Sequence, residues 1–433
     1  MKLAAPLALL ASVATTAAPA PADVLVVDAG GAGSHTSVQD AVHDAAPGDI
    51  VLVRGGVYPG SVTVAALSVT IVSEDDAVIA GRLFVRDLGA SDVVLLSGLI
   101  VDPPDDTFPT NGTYEGALDV RNCLGRVRAQ DCRFDATGLF GDPDFTPIFY
   151  APSGAPGVLA VDSADVALVD SRATGGDGRL AVIAPAGLGG RGVWAERVDA
   201  LTLVRSVLRG GGGGESDDPG DGGDGVRIEG GTTLYLAYSA SFGGAAGCWS
   251  GFMSSPGWTV DGGDGIHRGA GTLTWNFEGV LEGGPRAMDF VCNPTPAGGV
   301  DGQPLGGTGL SNPLNGFPSA LEAPAVVRTG QPWQVTFFTV PANDARLFFG
   351  SGTTLAFTPA LNQPRLVGGL DVLRFRGVFP TPPSGLLTLD MPIIGLPPTV
   401  DGFVQGFQGF VTDATPASAF TSPRFVVFLD SSF

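Results

Sequence analysis

The sequence predicts an all-β protein built as a stack of repeated strands, followed by a second, smaller β-domain. Three observations predict it: a short motif recurs six times, its internal spacing is nearly constant while the gaps between copies vary, and beyond residue 317 the repeat gives way to aromatic strands separated by Pro-rich turns. In each copy a glycine opens a short apolar strand, at Gly81, Gly116, Gly157, Gly192, Gly225 and Gly265. A small residue closes a second strand, at Ser97, Cys132, Ser171, Ser206, Ser239 and Gly279. The openings lie 35, 41, 35, 33 and 40 residues apart, whereas opening and closing markers are separated by 16 residues in the first two copies and 14 in the other four. A fixed rung with a loop of variable length is how a solenoid reads in sequence.

Composition agrees. The 433 residues carry 66 Gly and 34 Pro, yet 44% are hydrophobic, too apolar for a disordered chain and suited to many short strands joined by tight turns. The formal charge of -21 disfavours nucleic acid, which needs clustered Lys and Arg. Lys2 is the only lysine, and it lies in a segment, residues 1–22, with a basic start, an apolar stretch and small residues at Ala20 and Ala22. That pattern reads as a secretory signal peptide, so the mature protein is expected outside the cell or at its surface, without lysine. Mechanisms that need a lysine base, Schiff base or phosphate-binding lysine are thereby excluded. No later run is long and apolar enough for a membrane span.

Residues 24–27 read as an apolar strand, followed by Gly30, Gly31 and Gly33 and a helix from about Thr36 to Ala46. In that helix Val38, Ala41, Val42 and Ala45 form one apolar stripe, Thr36 or Ser37 caps the start, and Pro47-Gly48 ends it. Strand, glycine loop and helix together suggest a dinucleotide site, but Thr36 stands where the last glycine of that pattern belongs. An end cap is the better reading, because the first rung of a solenoid exposes apolar interior and an unpaired strand edge.

The stretch TSVQDAVHDAAPGDIVLVRGGVYPG, residues 36–60, resembles the start of right-handed parallel β-helix proteins of the pectin-lyase-like class. The resemblance covers about residues 23–309. It implies a coil of three short parallel sheets with long loops forming a groove on one side; it does not specify an activity. From about residue 317 to 433, strands such as WQVTFF and RFVVFLD are expected to form a small antiparallel β-sandwich, placed to cap the last rung or to anchor the protein to a surface.

The variable segments all follow the closing marker, so they are expected on one flank of the coil. The tetrapeptide Gly-Gly-Asp-Gly occurs at residues 175–178, 222–225 and 262–265. Stacking should place Asp224 under Asp264 and Asp221 under Asp261. Such carboxylates, with Asp177, repel unless neutralised, and Ca2+ with its oxygen ligands is one candidate; ordinary Asp-Gly turn chemistry is the other. The same flank carries Phe149 and Tyr150 in one loop and Trp249 and Trp258 in another, rings suited to stacking on sugars or simply to packing loops. Cys248 and Cys292 fall in consecutive loops and can pair, whereas Cys123 and Cys132 either pair within one unit or remain buried thiols.

Catalytic motifs are scarce. The hydrolases of the resembled class use a Gly-His-Gly and an Arg-Lys pair, neither present here; its lyases use calcium-bound aspartates with an arginine or lysine base. Arg268 beside His267, next to the Asp261/Asp264 turn, is the candidate for such a base. Two functions follow as expectations: recognition of polysaccharide by a secreted, non-catalytic coil, or calcium-dependent elimination in an acidic polysaccharide. The acidity of the chain argues against the second.

Overall fold

The computed structural model describes residues 22–104, 115–136, 153–179, 186–215, 219–248, 260–286, 300–314, 320–339, 344–350, 354–358, 363–367, 374–380, 384, 386–391, 395–397, 399–412 and 418–433. The chain is all-β, with long parallel sheets in its first two thirds. Each unit places one strand in each of three parallel ladders. The first runs from Val24–Val27 through Ile50–Val53 and Val69–Ser73 to Leu273–Phe277 and Leu310–Leu314. The second runs from Val62–Ala65 to Leu305–Gly307, and the third from Val57–Pro59 to Val280–Glu282. Val158–Val169 and Val193–Val204 are long enough to serve the first and second ladders at once.

Side chains alternate across each strand, so one row from every strand faces inward. Val85, Val120, Ala160, Ala195 and Ile228 form such a row in the second ladder, all fully buried in one continuous apolar cluster. The stack extends one rung past the six motif copies, to Leu305–Gly307 and Leu310–Leu314. At the corner leaving the first ladder, six successive rungs bend through a single left-handed residue: Gly98, Asp131, Asp170, Arg205, Tyr238 and Glu278, with φ from 46° to 69°. The small closing residue follows, and it faces inward. Ser206 donates its hydroxyl to Val204 O and accepts the backbone N–H of Ser171; Ser239 in turn accepts the N–H of Ser206. The serine column thus satisfies the one amide per rung that the bend removes from the ladder.

Register corrects the motif in its first two copies. Leu118 pairs with both Leu83 and Val158, so Ala117, rather than Gly116, occupies the level of Gly157. Ser97 pairs with Gln130, two residues before Cys132, and Leu99 holds the equivalent position. In register the first two copies remain longer than the rest, because more residues join the second ladder to the first: six positions separate Asp87 from Val93 and four separate Asn122 from Arg126, against three from Asp162 to Asp165.

The helix spans Val38–Asp44, shorter than expected, with Ser37 as N-cap accepting the Asp40 N–H. Val38, Ala41 and Val42 are buried in the coil's cluster. Gln39 accepts the Thr63 N–H at 2.6 Å, reaching the first strand of the second ladder.

The C-terminal part contains antiparallel sheets that share one apolar cluster including Trp333, Phe337, Phe407 and Phe428. Its described contacts are not with the last rung. It lies along the outward side of the first ladder, near the beginning of the stack. The strand Arg424–Leu429 is buried at all six positions because its two faces enter different cores. Val426 and Phe428 point into the C-terminal cluster, while Val427 and Leu429 meet Ile50, Leu52 and Val72, and Phe425 meets Leu95. Gln130 seals the seam, donating to Phe425 O at 3.2 Å and accepting the Phe425 N–H at 2.8 Å. Beside it, Asp131, Arg424, Asp170, Arg205 and Glu322 form a chain of ion pairs. Three of these five are the left-handed corner residues, whose side chains the bend projects outward.

Candidate functional site

All described parts of the variable segments lie between the third ladder and the second, on one flank. Gly225 and Gly265 are adjacent, with Val226 N–H donating to Gly265 O at 3.0 Å. In the later units each segment leaves as one glycine-rich leg and returns as another, and the legs are neither helix nor strand. Their hydrogen bonds recur every three residues, the period of a polyproline-II-type chain. Gly222 and Gly225 donate to Asp261 O and Asp264 O on the returning leg of the next rung. Gly223 donates across, to Gly211 O on the outgoing leg, and Gly244 donates to Gly223 O. The series continues through Gly263, Gly284 and Gly302. The legs therefore form a two-layered slab in which two of every three positions face a neighbouring backbone. A Cβ at Gly223 would collide with Gly190 O, and one at Gly263 with Gly223 O. The third position faces outward and tolerates a side chain: it holds Asp177 on an outgoing leg, and Arg191, Asp221, Asp224, Asp261 and Asp264 on returning legs.

This layout shows what the aspartates do locally. Asp221 Oδ1 accepts the Asp261 N–H and Asp224 Oδ1 accepts the Asp264 N–H, both at 2.9 Å. Asp261 and Asp264 accept from Val300 and Gln303 in the same way, and Asp177 accepts from Gly212. The outward N–H of each leg has no backbone partner, so the carboxylate one rung away supplies one. The stacked carboxylates are thus offset by backbone donors and nearby cations.

Where a returning leg enters the second ladder, each rung pairs its outward leg residue with the outward strand residue three positions later. The Arg191 guanidinium lies over the Trp194 ring at 5.0 Å. Asp224 is 3.7 Å from Arg227, and Asp264 Oδ2 is 2.9 Å from His267 Nδ1. Trp194, Arg227 and His267 are in register on successive rungs. A cleft of about 300 Å³ opens along this row. Burial holds the Asp224 carboxyl above the usual carboxylate range, against the pull of the Asp264 N–H and nearby cations. The hydrogen bond that His267 donates to Asp264 raises its pKa above the ordinary value of 6.5.

His267 and Arg268 do not act on one face. His267 pairs with Arg227 on the outward row, whereas Arg268 pairs with Ile228 on the inward row. The Arg268 guanidinium donates to Gly306 O at 3.0 Å and Gly309 O at 2.6 Å, closing the last rungs of the coil. Successive strand residues face opposite ways, which separates the two however close they are in sequence. Arg191, a weaker base candidate in the sequence, lines the cleft; Arg227 beside it, and Trp194 in register with Arg227, are what sequence reading missed, and their signal is the shared offset of three from the last outward leg residue. Phe149, Tyr150, Trp249 and Trp258 lie outside the described residues. Cys123 and Cys132 are buried free thiols, and burial pushes Cys132 up to about 12. Cys248 is in a disulfide, and its expected partner Cys292 lies outside the described residues.

Ligand atoms of Asp224, Asp264 and His267 lie within 4.8 Å of one another. The set suits calcium poorly. Calcium takes six to eight oxygens, whereas this group includes an imidazole nitrogen and two carboxylates that each already accept a backbone N–H.

Comparison with protein-family models, with curated proteins and with solved structures returns no match.

Proposed function

We propose that this is a secreted or cell-surface protein that recognises polysaccharide without transforming it. In this reading residues 23–309 and the rung beyond them form a right-handed parallel β-helix of the pectin-lyase-like class. The helix near the start caps the coil, and the C-terminal domain is a β-sandwich that braces it.

One observation carries the functional reading. The cleft and the strand row beside it present side-chain pairs at one-rung intervals, about 4.8 Å, in the order Arg191/Trp194, Asp224/Arg227 and Asp264/His267. That interval is close to the length of a sugar ring, so an extended glycan lying along the stack meets one pair per residue. Trp194, with Arg191 over its ring, marks one end of this row, and the polar pairs supply donors and acceptors for hydroxyls. Arg268 faces away from the cleft row and donates to Gly306 O and Gly309 O, which supports recognition over calcium-assisted elimination.

The test is a glycan-binding panel with the mature protein, its Arg191→Ala/Trp194→Ala variant, and absorbance of unsaturated products followed in parallel. Binding that the variant loses, with no product, supports recognition. Product formation on any uronic-acid polymer replaces this reading with a lyase. Binding to no glycan removes it.

A further inference from the structure

We propose that the cleft selects glycans carrying protonated amino groups and rejects polyuronates. This rests on the polysaccharide reading above and names the ligand class for the same site.

Each cation in the cleft already has a counter-charge or ring partner. Arg227 donates to Glu229 through Nε at 2.7 Å and lies 3.7 Å from Asp224. His267 is held by Asp264 at 2.9 Å. Arg191 stacks on Trp194 and acts on the buried Asp224. What remains at the rim is negative: Asp221, Asp261 and Asp301 are exposed and line the same cleft. Each gives one oxygen to a backbone N–H, from Asp261, Val300 and Arg286 respectively. The second oxygen of each has no hydrogen-bond partner among the described residues. These carboxylates are held in place by the slab before any ligand arrives, which lowers the ordering cost of binding.

An ammonium group offers three donors and a positive charge to such oxygens, and charge-assisted hydrogen bonds are the stronger kind. A uronate carboxylate would meet the rim with like charge and find its potential partners already compensated. Gly306 continues the row of Arg227 and His267, and the Asp264 carboxylate occupies the space that a side chain there would take.

The experiment measures affinity of the mature protein for a glucosamine oligomer, its N-acetylated counterpart and an oligogalacturonate, near pH 6, with chelator and with calcium. The variants are Asp221→Asn/Asp261→Asn, whose amide oxygens still accept the backbone N–H, and Asp177→Asn, which makes the same charge change away from the cleft. The amine oligomer should bind roughly tenfold tighter than the acetylated one, a difference on the order of one strong contact. The double variant should lose most of that margin and Asp177→Asn none of it. Equal or tighter binding of the uronate, with or without calcium, overturns the inference while leaving polysaccharide recognition standing. So does an amine preference that the double variant leaves unchanged. Failure of all three oligomers to bind, together with a blank glycan panel, removes the underlying reading instead.

Discussion

The Asp224 carboxylate accepts the backbone N–H of Asp264, one rung away, at 2.9 Å. Asp224 is 8% exposed, so both the acceptor and the amide it serves are largely shielded from water. The same bond recurs at Asp221, Asp261 and Asp264, which makes it a building rule of the slab rather than an accident of one turn.

From this rule, removing the acceptor should cost more than removing the charge. Asp224→Ala orphans a buried N–H and should destabilise by about 1–3 kcal/mol. Asp224→Asn keeps an acceptor oxygen and should cost distinctly less, since burial already disfavours the ionised form. Denaturant unfolding of the two variants checks the order; equal losses would mean that the carboxylate charge, not the amide bond, is what matters.

Glycine tolerance in the slab should follow the three-residue period. Gly223→Ala places a methyl against Gly190 O and should destabilise by about 1–3 kcal/mol or more. Gly212→Ala, at an outward position where the nearest atom to an added Cβ is Asp177 Oδ1 at 3.5 Å, should be close to neutral. Thermal melting of both variants decides it.

Arg424 bridges the C-terminal domain to Asp131 at 2.7 Å and Asp170 at 3.3 Å. Its guanidinium is nearly buried, so Arg424→Ala leaves Asp131 unpaired and the buried Asp170 with Arg205 as its remaining counter-charge. A loss of about 3 kcal/mol is expected. Calorimetry should then show the C-terminal domain melting before the coil, and the parent melting as one unit.

Asp170 gives the seam a pH dependence of known sign. Burial raises its pKa above 3.8, despite Arg424 and Arg205. The folded state therefore holds this proton more tightly than the unfolded chain, and the contribution falls as pH rises from the unfolded pKa through the raised one. Asp170→Asn should flatten stability measured over that acidic window; an unchanged slope would assign it to other groups.

His267 has the opposite placement on the pH scale. Hydrogen bonding to Asp264 raises its pKa above 6.5, so the stabilising charged pair is fully present below that value and is lost as pH rises through the raised one. Proton NMR titration of His267 should show the raised midpoint, and Asp264→Asn should lower it.

Much of this architecture is legible in the chain. The Gly-Gly-Asp-Gly repeats imply that Asp224 lies beneath Asp264, and the wandering gaps imply inserts on one flank; both follow from local periodicity, which a repeating rung copies from unit to unit. The closing marker of the first copy is misleading because the corner is set by the left-handed residue and not by the small one: Ser97 precedes the bend at Gly98, and Leu99 stands where Cys132 and the later serines do.

The sequence by itself determined that rungs stack, how many residues each rung uses, and which positions carry carboxylates. Only the tertiary structure decided that Arg268 points into the coil, that the aspartates serve amides across the slab, and that Arg424–Leu429 lies against Ile50, Leu52 and Val72. The physical reason is range. Rung geometry arises from neighbours a few residues apart and repeats wherever the spacing repeats. The side a residue faces depends on register set by the rung before it, and docking of two domains depends on the match of two outward surfaces, neither of which leaves a local pattern in the chain.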